Sequence, residues 1–367
     1  MKIVFAAGGT GGHILPALSV ADELKDRMRG LEALFVGTRV GLEGALVPAA
    51  GYDIRYIAAK GVRGKGLVSR IRSAASIAVG FFQSLALLRR FKPDVVFGSG
   101  GYASAAVVLA ASFLRRPVVI QEQNSIPGLT NRLLARRARR IYLGFEKAAQ
   151  YFGSHRGLVV TGNPLRPEIL SPGATDLRTE FGLEGEGPVL LVFGGSQGAR
   201  TLNRAAADYL LDRPRVRGIV QTGNQDFEWM RRRLENLPGR VCVRPYFEAM
   251  HRAYASATVC LARAGALTVS ELAAAAVPSV LVPYPHAADD HQTCNAAFLA
   301  DTGGAIVLRD SDLNKDTLAA ALDPLLADPA RLAAMRRSLE RAARRDAAAV
   351  IAADVLEVVS GERSAAS

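Results

Sequence analysis

Ile3-Val4-Phe5-Ala6-Ala7-Gly8-Gly9-Thr10-Gly11-Gly12-His13 runs from an uncharged apolar stretch straight into a glycine turn. Val189-Leu190-Leu191-Val192-Phe193-Gly194-Gly195-Ser196-Gln197-Gly198-Ala199 repeats the arrangement in the second half of the chain. Each reads as a buried strand, a tight turn and the start of a helix. A glycine turn in that place lets an anion approach the backbone N–H groups at the positive end of the helix. One such turn is a weak signal, because a plain strand-to-helix connection looks the same. Two of them, each heading a run of strands and helices, describe a chain of two similar halves.

Working outward from these turns, short strands rich in Val, Ile and Leu fall near residues 3–6, 33–36, 95–97, 118–120 and 141–143. A second set falls near 189–193, 218–221, 241–243, 259–261 and 279–282. Fully apolar strands separated by helical stretches indicate a parallel sheet covered on both faces. The fold class is therefore α/β, with two Rossmann-like, doubly wound parallel-sheet domains. Gly162-Asn163-Pro164-Leu165-Arg166-Pro167 breaks helix and strand alike and marks the seam. The domains run over 1–163 and 164–345, and a closing helix in 346–367 is able to pack back on the first domain. Ligands of open parallel sheets bind beyond the carboxyl ends of the strands. Two such domains facing each other would form a deep cleft.

The 367 residues are 49% hydrophobic and 22% charged, a globular composition that excludes a disordered chain. The formal net charge of +12 points to an anionic partner: nucleic acid, acidic lipid or a phosphorylated substrate. The basic residues are not interleaved with aromatics and no nucleic-acid motif occurs, which removes the first of these. Cys242, Cys260 and Cys294 form neither an even framework nor a CxxC pair, as in a reduced cytosolic protein. The apolar run after Met1 ends too soon in Gly8 and Gly9 for a signal peptide. Residues 95–114 carry no charge over a length that could span a membrane. Gly98-Ser99-Gly100-Gly101 interrupts them and makes the segment a strand, a third glycine turn and a helix.

The first turn does not match GxGxxG, and Thr38-Arg39 stands where a dinucleotide fold places its ribose-binding acid. No Walker lysine follows either turn. NAD and ATP are both unsupported, and no cofactor is called for.

Six motifs occur in order: Gly8-Gly9-Thr10-Gly11-Gly12-His13, Gly98-Ser99-Gly100-Gly101-Tyr102, Gln121-Glu122-Gln123-Asn124, Gly194-Gly195-Ser196-Gln197-Gly198-Ala199, Ala264-Gly265-Ala266-Leu267-Thr268-Val269-Ser270-Glu271, and His291-Gln292 with Asn295-Ala296. Over essentially its whole length the chain resembles the undecaprenyldiphospho-muramoylpentapeptide N-acetylglucosaminyltransferases. The resemblance implies the GT-B fold, UDP-GlcNAc as donor, lipid I as acceptor and lipid II as product in peptidoglycan synthesis. Another GT-B enzyme of UDP-sugars, with a different acceptor or acting as an epimerase, is the nearest alternative.

The resemblance also carries roles. Glu271, six residues after Gly265 on the helix at 267–275, would accept from the ribose hydroxyls. Ser196 would donate to the diphosphate, and Arg166 would neutralise its charge. Thr10, Gly11, Gly12, Ala266, Leu267 and Thr268 line the helix starts that bind substrate. Asn124 and Gln292 are amides suited to the sugar hydroxyls, although His291 stands where some relatives have a second glutamine. Phe247 would lie beside the uracil. Gly100, Gly101 and Tyr102 would take the acceptor diphosphate. The donor is α-linked and the product β-linked, so the reaction inverts and needs one base for the acceptor 4-hydroxyl. His13 and Glu122 both qualify, and the sequence leaves the choice open. Asp289-Asp290 is adjacent rather than a spaced DxD, so no metal is expected; helix dipoles and Arg166 supply the electrostatic stabilisation.

A lipid-linked acceptor requires a membrane. Residues 73–88 are uncharged and include Phe81, Phe82, Leu85, Leu87 and Leu88. Arg70 and Arg72 precede them, Arg89, Arg90 and Lys92 follow, and Lys60, Arg63 and Lys65 lie upstream. With Arg136, Arg137, Arg139 and Arg140 they suit peripheral attachment to the anionic, cytoplasmic face of the inner membrane. Other cell-wall synthesis proteins are further expected partners.

Overall fold

The computed structural model describes residues 1–59, 67–171, 177–195 and 197–366, with side chains outside 67–75 and 362–366. Ser196, Lys60, Arg63 and Lys65 therefore lie outside the described residues, as do the side chains of Arg70 and Arg72. The chain divides into two compact units, Met1–Arg166 with Arg344–Ser367, and Pro167–Ala343.

The first unit contains β1 (Lys2–Ala6), α1 (Gly11–Arg27), β2 (Glu32–Gly37), α2 (Glu43–Ala49), β3 (Asp53–Tyr56) and α3 (Leu67–Phe91). It continues with β4 (Val95–Gly98), α4 (Gly101–Phe113), β5 (Val118–Glu122), α5 (Leu129–Leu134), β6 (Arg140–Leu143) and β7 (Leu158–Val160). The strands form one sheet in the order β3-β2-β1-β4-β5-β6-β7, every pair parallel. Successive side chains of β1 point to opposite faces, as strand geometry requires. Ile3 and Phe5 pack on one side with Ile14, Ala17 and Leu24 of α1, whereas Val4 and Ala6 pack on the other with Ala103, Ala106 and Val107 of α4.

The second unit contains α6 (Pro167–Leu170), β8 (Val189–Phe193), α7 (Arg200–Asp212), β9 (Arg217–Gln221), α8 (Phe227–Arg233), β10 (Val241–Arg244) and α9 (Met250–Ser256). There follow β11 (Val259–Ala262), α10 (Ala266–Ala274), β12 (Ser279–Leu281), α11 (His291–Asp301), β13 (Ala305–Val307), α12 (Lys315–Leu326) and α13 (Pro329–Ala342). The sheet order is β10-β9-β8-β11-β12-β13, again wholly parallel. Leu190 and Val192 of β8 pack with α7 and α12. On the opposite face the Phe193 ring meets Tyr254 of α9 edge-on, with centroids 5.9 Å apart.

The last helix, α14 (Ala347–Ala366), belongs to the first unit. Ile351, Ala352, Val355 and Val359 complete the core above α1. Asp354 accepts from the buried Tyr142 hydroxyl at 2.7 Å and from Arg140 Nε at 3.1 Å. Arg140 is thus committed to an ion pair with α14 rather than to the basic cluster of its neighbours. Residues 95–114 form β4, a turn and α4, and no helix among the described residues is long and apolar enough to cross a membrane.

Three strands escaped the sequence reading: β3, β7 and β13. All lie at sheet edges. An edge strand is covered less completely, and in β3 only Ile54 is even half-buried, so the apolar run that marks a central strand is missing.

Candidate active site

In the first sheet β1 and β4 are neighbours, yet the chain leaves β1 for α1 on one face and β4 for α4 on the other. A crevice opens where such connections diverge. The glycine turns Gly8-Gly9-Thr10 and Ser99-Gly100 sit at this point. Gly9 and Gly100 have φ of 97° and 96°, a region that side chains resist. The turns press together: a Cβ on Gly101 would stand 2.8 Å from Gly8 O, and one on Gly100 2.9 Å from His13 Cε1. Neither α1 nor α4 has an acidic residue in its first turn. The N–H groups there have no intrahelical acceptor. Thr10 and Tyr102 are exposed beside these helix starts.

Behind the turns, the end of β5 supplies a chain of buried amides. Gln123 Nε2 donates to Ser99 O at 2.9 Å and also to Gln121 Oε1. Gln121 Nε2 donates to Asn163 Oδ1 at 3.1 Å, and Asn163 Nδ2 donates to Gln123 O at 3.0 Å. Ser99 O and Gln123 O are main-chain carbonyls that can only accept, so both amide orientations are determined. Gln123 Oε1 consequently faces His13 Nδ1, 3.0 Å away. An amide oxygen cannot donate, so Nδ1 carries the proton and Nε2 keeps the basic lone pair. The Ser99 hydroxyl donates to His13 O at 2.5 Å and fixes the backbone of the same residue.

Glu122 sits differently. It is 1% exposed, and both carboxylate oxygens are engaged. Oε1 accepts from Asn124 N at 2.9 Å and more distantly from Asn124 Nδ2; Oε2 accepts from Gly128 N at 3.1 Å and Asn131 Nδ2 at 2.8 Å. Burial raises its pKa above the ordinary carboxylate value, and the four donors offset this only in part. The carboxylate braces the loop that carries Asn124. Arg166 closes the first unit, with its Nε buried and without a hydrogen-bond partner.

In the second sheet β8 and β11 make the equivalent pair. Gly194-Gly195-Gln197-Gly198 precede α7 around Ser196, and Gly265 is the N-cap of α10. Ala266, Leu267 and Thr268 form the first turn of α10. Glu271, one turn on, is 9% exposed and accepts from Tyr254 OH at 2.8 Å. It is a buried, anchored carboxylate rather than a solvated one. Gln292 Oε1 accepts from Tyr284 N at 2.9 Å and ties α11 to the segment after β12. The Phe247 ring is 4% exposed, against Phe181 and under Arg244, and its N–H donates to Gln221 Oε1. Arg263, at the end of β11, joins Asp310 at 2.6 Å and donates to Thr201 Oγ1 at 3.0 Å, which secures the start of α7. Tyr254 and Arg263 were not read from sequence, and the amides at 121, 123 and 163 entered only as members of motifs, without roles of their own. The polar run 121–124 directly after an apolar strand signalled Gln121 and Gln123.

The Glu122 geometry makes a prediction. A carboxyl whose folded pKa is raised binds more protons folded than unfolded, so its stabilising contribution is full below the unfolded pKa and declines as pH rises through the folded one. Glu122→Gln removes that titration. The unfolding free energy of the native protein relative to Glu122→Gln should therefore fall as the pH rises above the ordinary glutamate value of about 4.3. Denaturant titrations across this range measure it; a flat difference would contradict the buried, elevated carboxyl.

Residues 3–143 match the glycosyltransferase family 28 N-terminal domain, and residues 189–351 match the family's C-terminal domain. The chain is 42% identical over 367 residues to the UDP-N-acetylglucosamine–N-acetylmuramyl-(pentapeptide) pyrophosphoryl-undecaprenol N-acetylglucosamine transferase of Symbiobacterium thermophilum, covering 100% of this chain and 98% of that protein. The like-named protein of Methylococcus capsulatus is 43% identical over 358 residues, covering 97% and 98% respectively. The crystal structure of Acinetobacter baumannii MurG superposes with a TM-score of 0.76 at 30% identity, over 97% of this chain and 99% of that one. A UDP-GlcNAc 2-epimerase from Neisseria meningitidis shares the fold alone, with a TM-score of 0.70 at 12% identity over 97% of this chain and 100% of the other. The chain is a GT-B glycosyltransferase and belongs to glycosyltransferase family 28, among the N-acetylglucosamine transferases that share its full length.

Proposed function

We propose that the protein transfers N-acetylglucosamine from UDP-GlcNAc to the 4-hydroxyl of the N-acetylmuramyl unit of an undecaprenyl-diphosphate-linked acceptor. Full-length likeness to transferases bearing that name supports the reaction. The observation that carries the mechanism is the His13 Nδ1 to Gln123 Oε1 hydrogen bond.

That bond supports His13 as the base. With Nδ1 protonated, Nε2 accepts the proton of the acceptor hydroxyl as its oxygen attacks the anomeric carbon. The bond from that carbon to the UDP oxygen breaks on the opposite side, which inverts the configuration. Glu122 is poorly placed for the same task, because its oxygens already serve four donors and burial opposes its ionisation. It holds Asn124, whose amide suits the sugar hydroxyls, as does the amide of Gln292 in the second unit. In the second unit the starts of α7 and α10 favour the diphosphate. Glu271 is a carboxylate anchored by Tyr254 and is suited to accept from the ribose hydroxyls. The Phe247 ring is core, so the neighbouring main chain rather than the ring meets the uracil. Arg166 adds charge complementary to phosphate, and the turn at Gly100, Gly101 and Tyr102 takes the acceptor diphosphate.

Attachment to the membrane falls to the first unit. Phe82, Phe113 and Val79 are 67%, 65% and 50% exposed. The Phe81 ring joins Phe82 and Phe113 edge-on, with centroids 5.4 and 6.1 Å apart, into one aromatic patch across α3 and α4. Leu85 and Leu88 of the same helix face the core, so α3 serves both sides. Exposed Arg89, Arg90, Lys92 and Arg115 lie on these two helices or at their ends. Apolar side chains beside cations suit a peripheral contact with anionic lipid.

His13→Ala should lower the transfer rate by roughly 10²–10⁴; a fall of less than about tenfold would remove His13 as the base. Reversing Arg89, Arg90 and Lys92 to Glu should abolish sedimentation with vesicles containing anionic phospholipid. Undiminished sedimentation would refute the membrane face.

A further inference from the structure

Glu43 begins α2 and is wholly buried, yet the reaction scheme leaves it without a task. Its carboxylate is an acceptor for three donors, two from the nearby Thr38 and one from Gly9, 34 residues back. Oε1 accepts from Thr38 N at 2.7 Å and Thr38 Oγ1 at 2.9 Å, and Oε2 accepts from Gly9 N at 3.0 Å. Space for it is made by glycines. A Cβ at Gly37 would stand 2.5 Å from Glu43 Cγ and one at Gly8 3.0 Å from Oε1, while one at Gly41 would overlap the carboxylate. The backbone closes the same circle, since Leu42 N donates to Gly9 O at 3.3 Å.

Gly9 is the left-handed residue of the first glycine turn, with φ of 97°. Both its N–H and its carbonyl are therefore tied to the segment between β2 and α2. The turn leads within two residues into α1 and within four to His13. It also lies against the second turn, because Gly101 packs on Gly8 O. A shift at Gly9 would be passed to the histidine and to the helix start together.

We propose that Glu43 is a positioning residue for glycosyl transfer, holding the first glycine turn so that His13 and the N-terminus of α1 stay in register. The proposal rests on the assignment of His13 as the base. The carboxylate also occupies the Gly9 N–H that a bare glycine turn would offer to an anion. A negative charge under the turn disfavours a second one there, so this turn presents its histidine to a neutral hydroxyl and leaves the acceptor diphosphate to Gly100 and Gly101.

Glu43→Gln keeps the volume and changes the hydrogen bonding. Its single oxygen can serve either Thr38 or Gly9, and its NH2 group meets an N–H donor at the other. Steady-state transfer with UDP-GlcNAc and the lipid-linked acceptor should show kcat lowered at least about tenfold, with the KM for UDP-GlcNAc within about threefold of the native value. UDP binding, measured by calorimetry, should be unchanged. A kcat within about threefold of native while His13→Ala is impaired would overturn the role of Glu43 alone. A native rate in His13→Ala would refute the base and with it the proposal. A joint loss of UDP affinity and kcat in Glu43→Gln would mark general disruption and equally overturn positioning. Should Glu43→Gln fail to fold, Thr38→Val removes one donor and keeps both N–H bonds. It should lower kcat by about two- to fivefold at constant KM, and an unchanged kcat would overturn the proposal.

Discussion

Two parallel strands that lie side by side and send their chains to opposite faces are the constraint on which the rest depends. In the first unit β1 leads to α1, packed with Ile3 and Phe5, and β4 leads to α4, packed with Val4 and Ala6. The turns after the two strands must then part, and what they leave is a crevice bounded by two helix N-termini. Glycine is required at both turns, because the left-handed bends at Gly9 and Gly100 and the contact of Gly101 with Gly8 O leave no place for side chains. The second unit repeats the device at β8 and β11, whose helices α7 and α10 start at Arg200 and Ala266.

Around the first crevice the polar groups are ordered by what cannot vary. Main-chain carbonyls of Ser99 and Gln123 fix the amides of Gln123 and Asn163, and those fix the proton on His13 Nδ1. Each amide is buried, so reversing any one would leave an unsatisfied group at a cost of about 1–3 kcal/mol. The tautomer of the histidine is thus a property of the fold. Glu122 and Glu43 serve as braces in the same region, one for the loop of Asn124 and one for the turn of Gly9.

The central strands and the glycine turns were legible because their residues are apolar on both faces and the breaks between them are abrupt. The edge strands were not, since Asp53, Arg55 and Tyr56 of β3 are exposed. Glu271 was legible as a carboxylate of the second unit, but its anchor Tyr254 lies 17 residues away on another helix. Arg140 read as one more surface cation among four, because its partner Asp354 is 214 residues distant. Glu43 carried no signal for a like reason: its donors come from Thr38 and from Gly9, 34 residues back. Local pattern discloses burial and turns, whereas pairings between remote polar groups emerge only once the sheet has brought them together.

The central claim is transfer between two substrates, and release of UDP measures it most directly. Purified protein with UDP-GlcNAc and the undecaprenyl-diphosphate-linked N-acetylmuramyl-pentapeptide should release UDP together with a disaccharide-bearing lipid, and should release none when the lipid is omitted. Absence of UDP release with both substrates present, or equal release without the lipid, would contradict the account.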